Sequence, residues 1–166
     1  MAESAEVQAI KEFFFEAALA TYAGDGPKMP EGQTPPGFKG YKFGRDRYLY
    51  QDIYSAAGSY HNFGQTVIWM DEKPIWFMQY HGFCNDKRAS TLAKQAMRAA
   101  YTEKKFIGGR GVKRLVVGDL HYGCNGMMSF GDFNGQDWVS EMKNGRDAML
   151  FWHRYHGGLL TRPITG

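Results

Sequence analysis

The sequence predicts an α+β fold: a curved antiparallel sheet built from two related hairpin halves, with two helices packed on it. Three observations carry this. First, one stretch appears twice. Gly64-Gln65 opens a run of apolar β-formers, a polar turn Asp71-Glu72-Lys73 follows, and a second run ends at Tyr80-His81-Gly82. Gly135-Gln136 opens the same pattern, with its turn at Lys143-Asn144-Gly145 and its end at Tyr155-His156-Gly157. Apolar runs flanking a tight polar turn read as a β-hairpin. Second, Phe, Tyr and Trp make up 16% of the chain, and these residues suit a pleated, half-buried surface. Third, strand-like runs follow one another without a helix after each, the pattern of an antiparallel sheet with helices laid against it.

The elements follow in order. Residues 4 to 22 read as a helix. Ser4 is a candidate N-cap and Glu6 sits in the first turn, where negative charge suits the helix dipole. Val7, Ile10, Phe14, Ala17 and Ala18 fall at helical spacing, and Gly24 is expected to end the helix. Residues 24 to 46 hold four of the six prolines and six glycines, and read as a long irregular segment, either a lid or a mobile loop. Residues 47 to 55 read as a strand with Tyr48, Tyr50, Asp52 and Tyr54 on one face. A turn at residues 56 to 59 leads into the first hairpin.

Asn85 or Asp86 then caps a second helix to about Glu103, with Ala89, Leu92, Ala93, Ala96 and Ala100 as its buried stripe. Glycines at 108, 109 and 111 break the chain. Strands are expected at about 113–121, 126–130, 138–142 and 148–156, punctuated by Asn125-Gly126, Asn134-Gly135 and Asn144-Gly145.

At 166 residues the chain suits one domain, residues 1–166, with a single core and no need of a staple. The net charge of +3 is too small to argue for nucleic acid, which is disfavoured as a partner. Two isolated cysteines, Cys84 and Cys124, point to a reducing cytoplasm rather than a disulfide framework. No apolar run approaches a membrane span, and the acidic start is unlike a signal peptide. A cytoplasmic protein with no membrane partner is expected.

In the closing strand of the first hairpin, Ile75, Phe77, Gln79 and His81 share one face while Trp76, Met78 and Tyr80 share the other. In the second, Leu150, Trp152, Arg154 and His156 oppose Phe151, His153 and Tyr155. Neither strand has a clearly polar face, so both faces are expected to be covered, one by the helices and the other by the Pro/Gly segment, a second subunit or a ligand. The rival reading is a sheet coiled tightly around a helix, both faces being core.

The chemical motifs are sparse. No His-x-x-x-His or Cys-x-x-Cys spacing exists, so no metal site and no cofactor is expected. The repeated His-Gly is expected to terminate its strand. Asp119 and His121 lie two apart on a predicted strand and so point the same way. The Gly108–Gly111 stretch lacks the ending and the preceding strand of a phosphate loop. Lys104, Lys105, Arg110, Lys113 and Arg114 read as a solvated basic loop. No serine or cysteine nucleophile has a recognisable setting.

The pattern Tyr48-Leu49-Tyr50-Gln51-Asp52, then Phe63-Gly64-Gln65, then Lys73-Pro74-Ile75-Trp76, then Tyr155-His156-Gly157-Gly158-Leu159 resembles an uncharacterised bacterial family, the one labelled domain of unknown function 5680. The Thr21-Tyr22-Ala23-Gly24 run is also similar, and the resemblance spans most of the chain. The stretch from Gly108 to Phe130 departs from it, being richer in Gly and Met. The resemblance implies a self-contained α+β domain. Family members can occur behind a helix-turn-helix domain, which hints at a sensory role; no room for such a domain is expected before Ser4. The resemblance supplies no catalytic residues.

These readings converge on a small-molecule-binding or sensor-like module with an aromatic-lined concavity. Trp69, Trp76, Tyr80, His81, Tyr155 and His156 are expected to line it, with Asp52 as a polar anchor. One alternative is a small enzyme pairing His81 or His156 with Asp52 or Asp119 as acid and base. Another is a homodimer that buries the aromatic sheet face. Whether the chain is an enzyme stays open at this point.

Overall fold

The computed structural model describes residues 4–55, 58, 60–107 and 110–160, apart from the side chains of Met127 and Met128. Helix α1 spans Ala5–Ala20 and begins where Ser4 accepts a hydrogen bond from the Val7 amide at 3.3 Å. It ends before the glycine expected to stop it. Thr21 caps it instead, its hydroxyl donating back to the Ala17 carbonyl at 2.7 Å. Ile10, Phe13, Phe14, Phe15, Ala17 and Ala18 are all buried, three of them in the consecutive run Phe13–Phe15, so the apolar face of α1 is broader than a simple stripe.

Four strands follow, β1 (Phe38–Arg45), β2 (Tyr48–Ser55), β3 (His61–Met70) and β4 (Lys73–Cys84). Helix α2 (Lys87–Thr102) is capped by Asp86, which accepts from the Arg88 amide at 2.8 Å. Its expected stripe, Leu92 included, is buried, joined by Met97 and Tyr101. Four more strands follow among the described residues, β5 (Arg114–Val117), β6 (Leu120–Ser129), β7 (Asp132–Lys143) and β8 (Arg146–Leu159).

All eight strands form one curved antiparallel sheet in the order β1-β2-β3-β4-β8-β7-β6-β5. Each half is a helix followed by a four-stranded meander, and the halves join where β4 pairs with β8. The predicted α+β class therefore holds, and the two Tyr-His-Gly segments meet at the join. Tyr80 lies opposite Tyr155, Gln79 opposite His156, and His81 opposite Arg154.

Several expectations need correction. The segment from 24 to 46 is not irregular throughout, because β1 occupies its end. As an edge strand it tolerates the glycines at 40 and 44. Asn125-Gly126 and Asn134-Gly135 lie inside β6 and β7 rather than in turns. Only Asn144-Gly145 makes the tight turn, with φ of 50° and 71°. The expected turn at 56–59 and the glycines at 108 and 109 lie wholly or partly outside the described residues.

Nor do the Tyr-His-Gly segments end their strands. β4 continues to Cys84 and β8 to Leu159. The glycines serve close approach instead. A Cβ on Gly82 would stand 1.8 Å from the Trp152 carbonyl oxygen, and one on Gly157 would stand 2.0 Å from that of Phe77. Both contacts cross the β4–β8 seam, so each half supplies one glycine to the same join.

The helices lie antiparallel on the concave face. Asp25, just beyond α1, accepts from Lys94 at 2.7 Å and Arg98 at 2.6 Å on α2, and these two bonds hold its carboxyl below the usual range. Beneath them, Trp76 is fully buried, stacked on Phe130 at 5.0 Å and on Phe133 at 5.6 Å, with its indole donating to the Phe130 carbonyl.

On the convex face part of the Pro/Gly segment does pack, with Phe38 against Phe63 at 5.5 Å. Gln65, Gln79, His81, Arg154 and His156 are exposed there, beside half-buried Phe77 and Trp152. The pleat gives this face a mixture of amide, imidazole and guanidinium groups, with exposed Phe63 among them.

Candidate functional site

Between the helices and the concave face the packing leaves a cavity of about 280 Å³. Small residues, Ala18 and Ala23, line it from the helix side, opposite the β2–β3–β4 end of the sheet. Half-buried Ser55, Asn62, Cys84 and Ser90 mark its mouth, where β2 ends, β3 begins, β4 ends and α2 starts. Phe14, Tyr50, Met78, Met97, Tyr101 and Phe151 form the apolar wall.

Two polar centres are set into that wall. The first is Asp52 on β2, only 4% exposed. Strand alternation turns it inward with Tyr50, and the β2–β3 register sets it directly across from Thr66. The Thr66 hydroxyl donates to Oδ1 at 3.1 Å and the Tyr80 hydroxyl donates to the same oxygen at 2.8 Å. Among the described residues no cation forms a salt bridge with it, and Oδ2 has no donor. Burial pushes the carboxyl up to about 6, against the lowering effect of the Tyr80 and Thr66 bonds and of the Arg110 charge.

The second centre is Arg110, from the segment between α2 and β5, 6% exposed. Its Nη2 donates to Asp137 Oδ1 at 3.0 Å and Oδ2 at 3.2 Å. Burial works against the guanidinium charge, but the adjacent Asp137 carboxylate more than offsets it and the pKa stands above its ordinary value. Asp137 is itself wholly buried on β7 and also accepts from the Tyr122 hydroxyl at 3.4 Å.

The same Nη2 lies 2.6 Å from His153 Nδ1. A guanidinium only donates, so Nδ1 accepts and the ring proton sits on Nε2. Burial, and then the Arg110 charge, hold His153 well below its ordinary pKa, so the ring is neutral. His153 Nε2 and Arg110 Nε are both buried without a hydrogen-bond partner. The guanidinium also lies over the rings of Tyr80 and Tyr155, at 5.1 and 5.3 Å.

The expected site residues divide between the two faces. Asp52 and Tyr80 line the cavity. Tyr155 is buried beside it, its hydroxyl accepting from the Arg110 amide at 3.3 Å. Trp76 faces the same way but lies in the solid core. Trp69 sits half-buried at a register shift near the far end of β3 and does not reach the cavity. His81 and His156 are exposed on the convex face, so the sheet separates them from Asp52. The pairing of either histidine with Asp52 is thereby excluded. Asp119 lies in the turn between β5 and β6 rather than on a strand, and does not share a face with His121.

Arg110, Asp137 and His153 are the residues that sequence reasoning missed. Arg110 was expected in a solvated basic loop. The one available signal was Asp137, an acid at an inward position of an apolar strand, which calls for a buried partner. Among the described residues no three His, Cys, Asp or Glu side chains are grouped to hold a metal ion. Nor, among the described residues, is any helix long and apolar enough to cross a membrane.

No curated protein and no solved structure matches the chain. A family model does, the one described as Domain of unknown function (DUF5680), over residues 40–160. That match runs from β1 to the end of β8 and includes both polar centres; the chain belongs to the DUF5680 family.

Proposed function

We propose that this protein binds a small organic molecule in the cavity between its helices and its sheet. The observation that carries the reading is Asp52. A carboxyl without a paired cation, 4% exposed, is held at the wall of an open, aromatic-rich cavity. Burying such a group lowers stability, and a fold keeps it only where something else is gained. Apolar walls with a few converging polar groups are the general form of small-molecule sites. The size fits one ring with a short substituent, since about 280 Å³ is roughly twice the ~150 Å³ of a cavity that takes up benzene.

The test is a thermal-shift screen of small organic molecules against the native chain and against Ala18→Trp. Ala18 lines the cavity, and an indole there fills it. Compounds that occupy the cavity raise the melting temperature of the native chain and leave that of the filled variant unchanged. A screen in which nothing stabilises the native chain, or in which both proteins respond alike, contradicts the reading.

A further inference from the structure

Resting on that reading, we propose that the occupant is an organic cation, a protonated aromatic or arylalkyl amine whose ammonium group is held by Asp52. Three features of the cavity point to this charge. The buried charged groups at the site are two carboxylates and one guanidinium, and they are already sorted. Arg110 is paired with both oxygens of Asp137, while Asp52 receives only the neutral donors Thr66 and Tyr80. The charge left over is negative.

Second, the Arg110 charge is already paired, and most of its donors are taken. Its Nη2 is committed to Asp137 and His153, its Nε is buried, and its face is taken by Tyr80 and Tyr155, which leaves Nη1 as its one uncommitted nitrogen outside the buried set. From Arg110 an anionic ligand would gain the Nη1 donor at most, and it would meet the Asp52 carboxylate as well.

Third, much of the rest of the wall is aromatic rings and thioethers. Phe14, Tyr50, Tyr101 and Phe151 present rings whose quadrupoles attract a cation and repel an anion, most strongly where water is excluded. The ionisable groups around Asp52 agree. Tyr22 beyond α1, Tyr50 and Tyr54 on β2, Tyr80 on β4 and Tyr101 on α2 are all held protonated by burial, so none supplies a competing charge. His153 on β8 is neutral.

Calorimetric titration at pH 7.5 with three probes of one shape tests this: 2-phenylethylamine, the neutral 2-phenylethanol and the anionic 3-phenylpropionate. The amine is expected to bind at least tenfold more tightly than the alcohol, with the carboxylate weakest. Asp52→Asn is expected to erase the tenfold preference while the alcohol still binds. Equal or tighter binding of the alcohol or the carboxylate overturns the charge assignment and leaves the cavity reading intact. Binding of none of the three also overturns it, since all fit the space, and the broader screen then judges the cavity by itself. A preference for the amine that survives Asp52→Asn places the cation elsewhere and overturns the assignment too.

Discussion

Tyr80 faces Tyr155 across the β4–β8 seam, and their hydroxyls serve opposite charges. Tyr80 donates to the Asp52 carboxyl at 2.8 Å, whereas Tyr155 accepts from the Arg110 amide at 3.3 Å. The residues that join the two halves are therefore the residues that position the two polar centres. A hydrogen bond to the ionised form lowers a carboxyl pKa. Tyr80→Phe removes the larger such bond to Asp52 and is expected to move its pKa above 6. An NMR titration of the Asp52 side-chain carbon reads that shift; a pKa unchanged or lowered contradicts the assignment.

Asp52 also makes a prediction about stability against pH. Its carboxyl ionises near 6 in the folded chain and near 3.8 in the unfolded one. Below about 3.8 both states are protonated and the burial carries no penalty. As pH rises from there to 6 the unfolded chain loses its proton first, so this residue draws stability down, levelling off above 6. Asp52→Asn keeps acceptors for Tyr80 and Thr66 without the charge. Urea unfolding at pH 7.5 is expected to show it more stable than the native chain, on the order of 3 kcal/mol. At pH 3.5 the two are expected to match.

The Arg110–Asp137 pair predicts the reverse behaviour. Removing one partner of a buried pair strands the other charge, at a cost of about 3–5 kcal/mol. Asp137→Asn is expected to fall in that range by urea unfolding. The double variant Arg110→Met, Asp137→Leu is expected to lose clearly less than the sum of its single variants, because no charge is left unpaired.

The glycines of the seam are testable by contrast. Gly82→Ala sets a methyl 1.8 Å from the Trp152 carbonyl and forces the strands apart, costing about 3 kcal/mol or preventing folding. Gly44→Ala on β1 meets nothing closer than 3.7 Å and is expected to change stability by less than about 1 kcal/mol. Thermal melts of the two variants measure the difference.

The sequence carried the hairpins, both N-caps and the alanine stripe of α2, because periodicity and capping are local signals. It hid β1, whose glycines and neighbouring prolines imitate a loop. Asp52 was legible as an inward acid among tyrosines. Arg110 was not, because its burial depends on an acid 27 residues away on another strand, while its own neighbours are lysines and glycines. Trp76 and Tyr80 share a face, and only the placement of the helices decides that one is core and the other wall. The exposed histidines of the repeat were attractive by their recurrence. That recurrence reflects the seam they flank, with glycine as the residue the packing demands.

Methyl resonances of the methionines give the most direct measurement. Met78 and Met97 line the cavity, while Met142 and Met149 are exposed on the far hairpin and serve as controls. On titration with the compound that stabilises the native chain most, the Met78 and Met97 methyl signals are expected to shift together and saturate while the controls stay fixed. Shifts confined to Met142 and Met149, with Met78 and Met97 unmoved, would place the ligand outside the cavity and contradict the account.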